Sequence, residues 1–121
     1  MQTSQKNFYK KLLGRRGEVT AKKYLEKKGY KILEKNFSTK FGEIDIVAKI
    51  DKTLVFVEVK TRSNTNFGYP AEAVDRKKQE KYSIVANEYL QKNGILDIEC
   101  RFDVIEVLNG EVNHIENAFF L

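Results

Sequence analysis

The chain has 121 residues, 41% hydrophobic and 32% charged, which places it among globular proteins with one core and outside the disordered class. Lysine and arginine outnumber aspartate and glutamate by 22 to 17, for a net charge of +5 and a pI near 9.2; this modest excess suits a polyanionic partner without requiring one. One cysteine, Cys100, and one histidine, His114, exclude an internal disulfide and argue against zinc sites built from those side chains, so any bound metal takes mostly oxygen ligands.

In chain order, a helix is expected over residues 6–28. Phe8, Leu12, Val19, Tyr24 and Leu25 can share one stripe, Gly29 takes the C′ position, and Gly14 and Gly17 weaken the middle. Residues 30–35 read as a short strand and 36–40 as a loop. Residues 43–49 and 54–61 read as two strands joined tightly around Asp51-Lys52. Residues 63–69 have loop composition, and Pro70 suits the first turn of a helix reaching residue 92, closed by Gly94. Residues 98–108 form a strand, Asn109-Gly110 a hairpin turn, and residues 111–119 the returning strand. The order α-β-β-β-α-β-β over residues 1–121 predicts one α/β domain, a central mixed five-stranded sheet flanked by helices. The amino-terminal residues lack an apolar h-region, and no apolar run approaches the ~18 residues of a membrane span. A soluble cytoplasmic protein without membrane association is the expectation.

The chemistry shows where the alternation of the two middle strands is disturbed. Side chains alternate faces, which puts Ile44, Ile46 and Ala48 on one side with Val55, Val57 and Val59. The other side carries Val47, Leu54 and Phe56 together with Glu43, Asp45, Glu58 and Lys60. With a two-residue loop Asp51-Lys52, Asp45 lies opposite Glu58 and Glu43 opposite Lys60; with the loop at Ile50-Asp51, Asp45 and Glu58 are diagonal neighbours on the same face. Like charges across a strand pair are destabilising, and a buried unpaired carboxylate is costly. A divalent cation between the acids removes the conflict, since carboxylates from neighbouring strands can fill part of an Mg²⁺ octahedron. An ordinary salt bridge explains Lys60 but leaves two acids without a partner.

Gly42-Glu43-Ile44-Asp45-Ile46-Val47-Ala48, followed by Phe56-Val57-Glu58-Val59-Lys60-Thr61-Arg62, resembles the D…ExK core of the PD-(D/E)XK nuclease superfamily. With Gly17-Glu18 on a helix ahead of it and Gly29-Tyr30 after that helix, the chain resembles the YraN-like, endonuclease-related bacterial family, which is similar to archaeal Holliday junction resolvases. The resemblance implies a restriction-endonuclease-like fold. It also implies Asp45 and Glu58 as ligands of Mg²⁺ (or Mn²⁺), Lys60 as the contact to attacking water and phosphate, and Glu18 as the helical acid facing them. In this chain Ile44 stands where the superfamily's proline precedes the aspartate. Gln79 and Tyr82 are three apart, where some relatives have a Gln-x-x-x-Tyr motif, and Gln79 is a candidate phosphate contact.

The function expected is a metal-dependent endodeoxyribonuclease on branched or structured DNA. The alternatives are a catalytically inactive nucleic-acid-binding module or a partner-dependent subunit in DNA processing. Glu43 is read as an ion-pair partner of Lys60 or a support behind the ligands. Two basic groups, Lys10, Lys11, Arg15 and Arg16 near Glu18 and Arg76, Lys77, Lys78 and Lys81 at the second helix, can hold a DNA backbone, with Arg62 as a further phosphate contact. A homodimer would supply the two sites that a symmetric cut of two strands needs. Asp103 and His114 read as structural, and Cys100, alternating with Ile98 and Phe102, reads as core.

Overall fold

A computed structural model describes residues 2–62 and 75–119, with side chains described from residue 12 onward. The element order is α1 (Gln2–Lys27), β1 (Lys31–Thr39), β2 (Gly42–Ile50), β3 (Thr53–Arg62), α2 (Arg76–Lys92), β4 (Glu99–Leu108) and β5 (Glu111–Ile115). The strands form one sheet in the order β1-β2-β3-β4-β5. All neighbours are antiparallel except β3 and β4, which run parallel. A parallel pair needs a crossover, and α2 lies within it. This is the mixed α/β sheet with two helices that the pattern of elements predicts.

The element ends follow local chemistry. Gly29 sits at φ +93 after α1, and the Tyr30 amide donates to the Leu25 carbonyl while the Gly29 amide donates to Glu26. That is the 6→1 and 5→2 pattern of a Schellman stop. The second helix begins at Arg76 because the Asp75 carboxylate caps it, accepting from the Lys78 amide at 2.8 Å. The loop over 63–69 and the Pro70 helix start lie outside the described residues. Ile50 pairs with Thr53 across Asp51-Lys52, one of the two loop placements that the sequence allows.

Two cores lie on opposite faces of the sheet. Ala21, Leu25 and Tyr30 pack with Ile46, Ala48, Val55, Val57, Ile105 and Val107 on the α1 face. On the other face Tyr82, Val85, Ala86 and Tyr89 of α2 pack with Phe37, Ile44, Val47, Leu54 and Phe56.

Several expectations are corrected. The buried line of α1 is Gly17, Ala21 and Leu25, while Leu12 and Val19 are exposed. Gly17 is buried because α1 rests there on β3: a Cβ would run into the Thr61 hydroxyl, with Thr61 Cβ only 3.1 Å away. Strand β1 runs through the expected loop as far as Thr39. The last strand stops at Ile115, and the chain then folds back, with the Ala118 amide donating to the Phe102 carbonyl and Phe119 stacking on Phe102 and Tyr82. Cys100 is exposed, because α2 packs over β1 and β2 rather than over the start of β4.

The face assignment of β2 is also corrected. Ile44 belongs to the α2-side core, whereas Ile46 and Ala48 belong to the α1-side core. Residues two apart normally share a face, so the alternation changes phase at Asp45. The neighbouring strand changes with it. Phe37, paired with Ile44, lies in the α2-side core, and between Phe37 and Lys35 stands Asn36 with φ +55.

Candidate metal centre

The phase change explains how the acids meet. Glu43 and Asp45 come from β2 and Glu18 from α1, and one carboxylate oxygen of each lies within 4.8 Å of the others. Glu43, next to the inverted Ile44, is exposed and meets Glu18 and Asp45 while still bordering residues of α2. Glu43 is further fixed by the Ser38 hydroxyl, which donates to it at 3.0 Å. The Asp45 carboxylate accepts from the Val59 backbone amide at 2.8 Å. It does so where the β2–β3 ladder, whose last recorded pair is Ile46 with Val57, gives way.

Glu58 approaches from β3. Its carboxylate lies 3.1 Å from Lys60 Nζ and 3.7 Å from Lys78 Nζ. Lys60 thus pairs with Glu58, two residues away on its own strand, and not with Glu43 as the simple register suggests. Phe41, Gly42, Glu43, Asp45, Glu58, Lys78, Lys81, Tyr82 and Val85 line one cleft of about 260 Å³. The cleft thereby joins the two middle strands to the first turns of α2.

The electrostatics are those of crowded acids. Burial, followed by repulsion from Glu58 and Glu18, pushes Asp45 up to about 8, and a hydrogen bond with Glu58 favours its protonated form. Burial likewise raises Glu18, against a lowering contribution from the Asn36 side chain. Burial works against the charge on Lys60, yet its contact with Lys78 and the adjacent Glu58 and Asp45 carboxylates raise it on balance. Lys78 is lowered, by burial first and by Lys60 second. Burial and the nearby Glu58 raise the Tyr82 phenol, so it remains a protonated donor beside that carboxylate.

An all-carboxylate donor set kept partly protonated without a cation fits a hard divalent ion such as Mg²⁺ or Mn²⁺, which replaces the shared proton as the neutralising charge.

The structure thus brings Glu18, Glu43 and Asp45 into one cluster and sets Glu58 and Lys60 beside it. Of the basic residues singled out, Lys78 and Lys81 reach the cleft. Gln79 is half-buried on α2 without lining it, and Lys77 is exposed there. Arg15 and Arg16 are exposed on α1, within a turn of Glu18, and Arg62 ends β3 half-buried. Tyr82, Ser38 and Asn36 were not singled out from the sequence as parts of the site. Their sequence neighbours, among them Lys35, Thr39, Lys81 and Ser83, are polar too, so nothing local marks them, and only the tertiary packing gives them the acids as neighbours.

A second polar cluster lies on the α1 face. Asp103, fully buried, accepts from Arg101 Nε and Nη2 at 2.9 Å each and from the Asn117 amide at 3.1 Å, and lies 2.7 Å from His114 Nε2. Arg101 also donates to the Tyr30 hydroxyl, and the Tyr24 hydroxyl lies 3.1 Å from His114 Nδ1. This network ties the end of α1 to β4 and β5.

Residues 17–107 match the family model described as "Uncharacterised protein family UPF0102". A UPF0102 protein of Caldanaerobacter subterraneus subsp. tengcongensis is 52% identical to the chain, covering 94% of this chain and 99% of its own length. One from Clostridioides difficile is 54% identical over 85% of this chain and 92% of its own. Another, from Geobacter sulfurreducens, is 44% identical over 100% of this chain and 98% of its own. The family match includes Glu18, Glu43, Asp45, Glu58 and Lys60, and the chain belongs to the UPF0102 family.

Proposed function

We propose that this protein is a Mg²⁺- or Mn²⁺-dependent endodeoxyribonuclease that hydrolyses phosphodiester bonds in branched or otherwise structured DNA. The observation that carries the reading is the convergence of Glu18, Glu43 and Asp45, with Asp45 pushed up to about 8 and Glu58 and Lys60 beside it. Stability alone disfavours such an arrangement, and acids held together at this cost mark functional sites. The resemblance of the Gly42–Ala48 and Phe56–Arg62 stretches to the D…ExK core supports the same chemistry, and with it a restriction-endonuclease-like fold.

Asp45 and Glu58 would hold the cation, with Glu18 completing the set and Glu43, fixed by Ser38, supporting it. A bound divalent cation supplies Lewis acidity toward the phosphodiester and a more acidic water. Lys60 places a positive charge where negative charge grows on the phosphate, an electrostatic contribution that acts most strongly in a partly dry cleft. Tyr82 and Lys78 hold Glu58 in place from α2, while Lys78 and Lys81 present positive charge to the DNA backbone.

The test is cleavage of single-stranded, duplex, flap and four-way-junction DNA with Mg²⁺ and with Mn²⁺. Wild-type protein cuts at least one substrate only with metal, and Asp45→Asn and Glu58→Gln do not. Cutting that survives both substitutions excludes this site, and folded wild-type protein that binds DNA yet never cuts favours a binding module.

A further inference from the structure

Five non-glycine residues among those described have positive φ. Asp51, Asp97, Asn109 and Asn117 lie in turns or connections, but Asn36, at φ +55, lies inside β1. A left-handed residue within a strand is strained for any side chain other than glycine, and asparagine is among those that tolerate it best. Such strain persists only where the surrounding structure holds the residue in place, and it clusters at functional sites.

The register shows what depends on it here. Lys35 pairs with Ile46 and Phe37 with Ile44, so Asn36 stands across from Asp45. On one side of that point the strands keep their expected faces, since Ile46 packs with α1. On the other side Phe37 and Ile44 pack with α2, although Lys35 and Ile46, two residues away in each strand, pair on the α1 face; β1 carries a separate register shift between Ile32 and Glu34. The inversion begins at Asn36 and Asp45 together. Its outcome is that Glu43 meets Glu18 and Asp45. The Asn36 side chain also lies within hydrogen-bonding reach of Glu18.

We propose that Asn36 is a positioning residue of the acidic centre: its left-handed backbone sets the paired phase change in β1 and β2 that brings Glu43 and Asp45 to Glu18. The proposal rests on the metal-site reading for its functional consequence, but its structural part can be read without metal or activity. Ile44 and Tyr82 line the same small cavity, so contact between the Ile44 methyl and the Tyr82 ring reports the phase directly.

The experiment compares Asn36→Gly, Asn36→Ala and Asn36→Val with wild type by methyl NOE spectroscopy and by Mn²⁺ titration. Glycine accepts φ +55 freely, alanine with strain, and a β-branched residue least of all. The Ile44–Tyr82 NOE should persist in Asn36→Gly and weaken or vanish in Asn36→Val. Mn²⁺ affinity should fall in the order Gly, Ala, Val, with Val at least about tenfold below Gly, the scale of lost support behind metal ligands. A loss of packing alone would not follow backbone tolerance in this order. If Asn36→Val does not fold, the contrast between Ala and Gly carries the test. An unchanged NOE in Val, or equal Mn²⁺ affinity in Gly and Ala, overturns the proposal. If wild type binds no Mn²⁺ while the NOE still follows the substitutions, the metal reading falls and the positioning role of Asn36 stands.

Discussion

Asp45 and Asp103 are both buried carboxylates, and their surroundings drive them in opposite directions. Burial and the neighbouring acids hold Asp45 protonated up to about pH 8. Asp103 is buried as well, but His114, Arg101 and the Asn117 amide more than offset the burial and lower it. The consequences for stability are opposite in sign. As pH rises from about 4 to 8 the unfolded chain loses a proton that folded Asp45 keeps, so this group's contribution to stability falls across that window. For Asp103 the contribution is full above about pH 4 and is lost as pH falls through its depressed folded value. Asp45→Asn should therefore stabilise the metal-free protein by about 1–3 kcal/mol at pH 8, measured by urea unfolding, while abolishing metal-dependent cleavage. Asp103→Ala should cost about 3–5 kcal/mol in the same measurement, because it leaves Arg101 and His114 without their common partner. A destabilised Asp45→Asn would contradict the first prediction, and a near-neutral Asp103→Ala the second.

At the scale of elements, α1 and α2 each bring one kind of charge to the site. Helix α1 delivers Glu18, and Gly17 beside it sets how closely the helix approaches β3 at Thr61. Gly17→Ala gains helix propensity of about 1 kcal/mol, but overpacking against Thr61 should outweigh it and leave a net loss of about 1–2 kcal/mol by urea unfolding. A stabilised Gly17→Ala would show that the contact is loose. Helix α2 delivers Lys78 and Lys81 to the cleft, and Lys77 to solvent. Replacing Lys81 by alanine should weaken DNA binding and reduce the slope of log affinity against log salt by about 1, whereas Lys77→Ala should change it less. Equal effects would mean that α2 contacts DNA along a different face.

At the scale of the whole molecule, the sheet with two helices was legible because each element carries its own period and stop signal. Gly29, Gly94 and the Asn109-Gly110 turn mark ends in the sequence as clearly as in the structure. Glu43, Asp45, Glu58 and Lys60 stand out in the sequence because acids and an amine interrupt otherwise apolar strands, whereas Glu18, on a helix, joins them only through the family resemblance. The inversion at Asn36 was not legible, because a period of two carries no sign of the one residue that breaks it. For that reason the sequence reads Glu43 as a partner of Lys60 or a support behind the ligands, and the structure sets it against Glu18 and Ser38 rather than Lys60. The extent of burial on β4 depends on where α2 lies across the sheet, which no local pattern encodes, and Cys100 was misplaced accordingly. The folded chain also carries two opposing pH dependences, from Asp103 below about pH 4 and from Asp45 above it. Without metal its stability should peak in mildly acid solution, and a bound divalent cation should move the optimum toward neutrality by replacing the Asp45 proton.

Calorimetric titration of Mn²⁺ at pH 7 in buffers of different ionisation enthalpy tests the metal centre most directly. The account predicts binding of a cation to wild type with release of about one proton, and loss of both in Asp45→Asn. No binding, or binding and proton release that persist in Asp45→Asn, would contradict it.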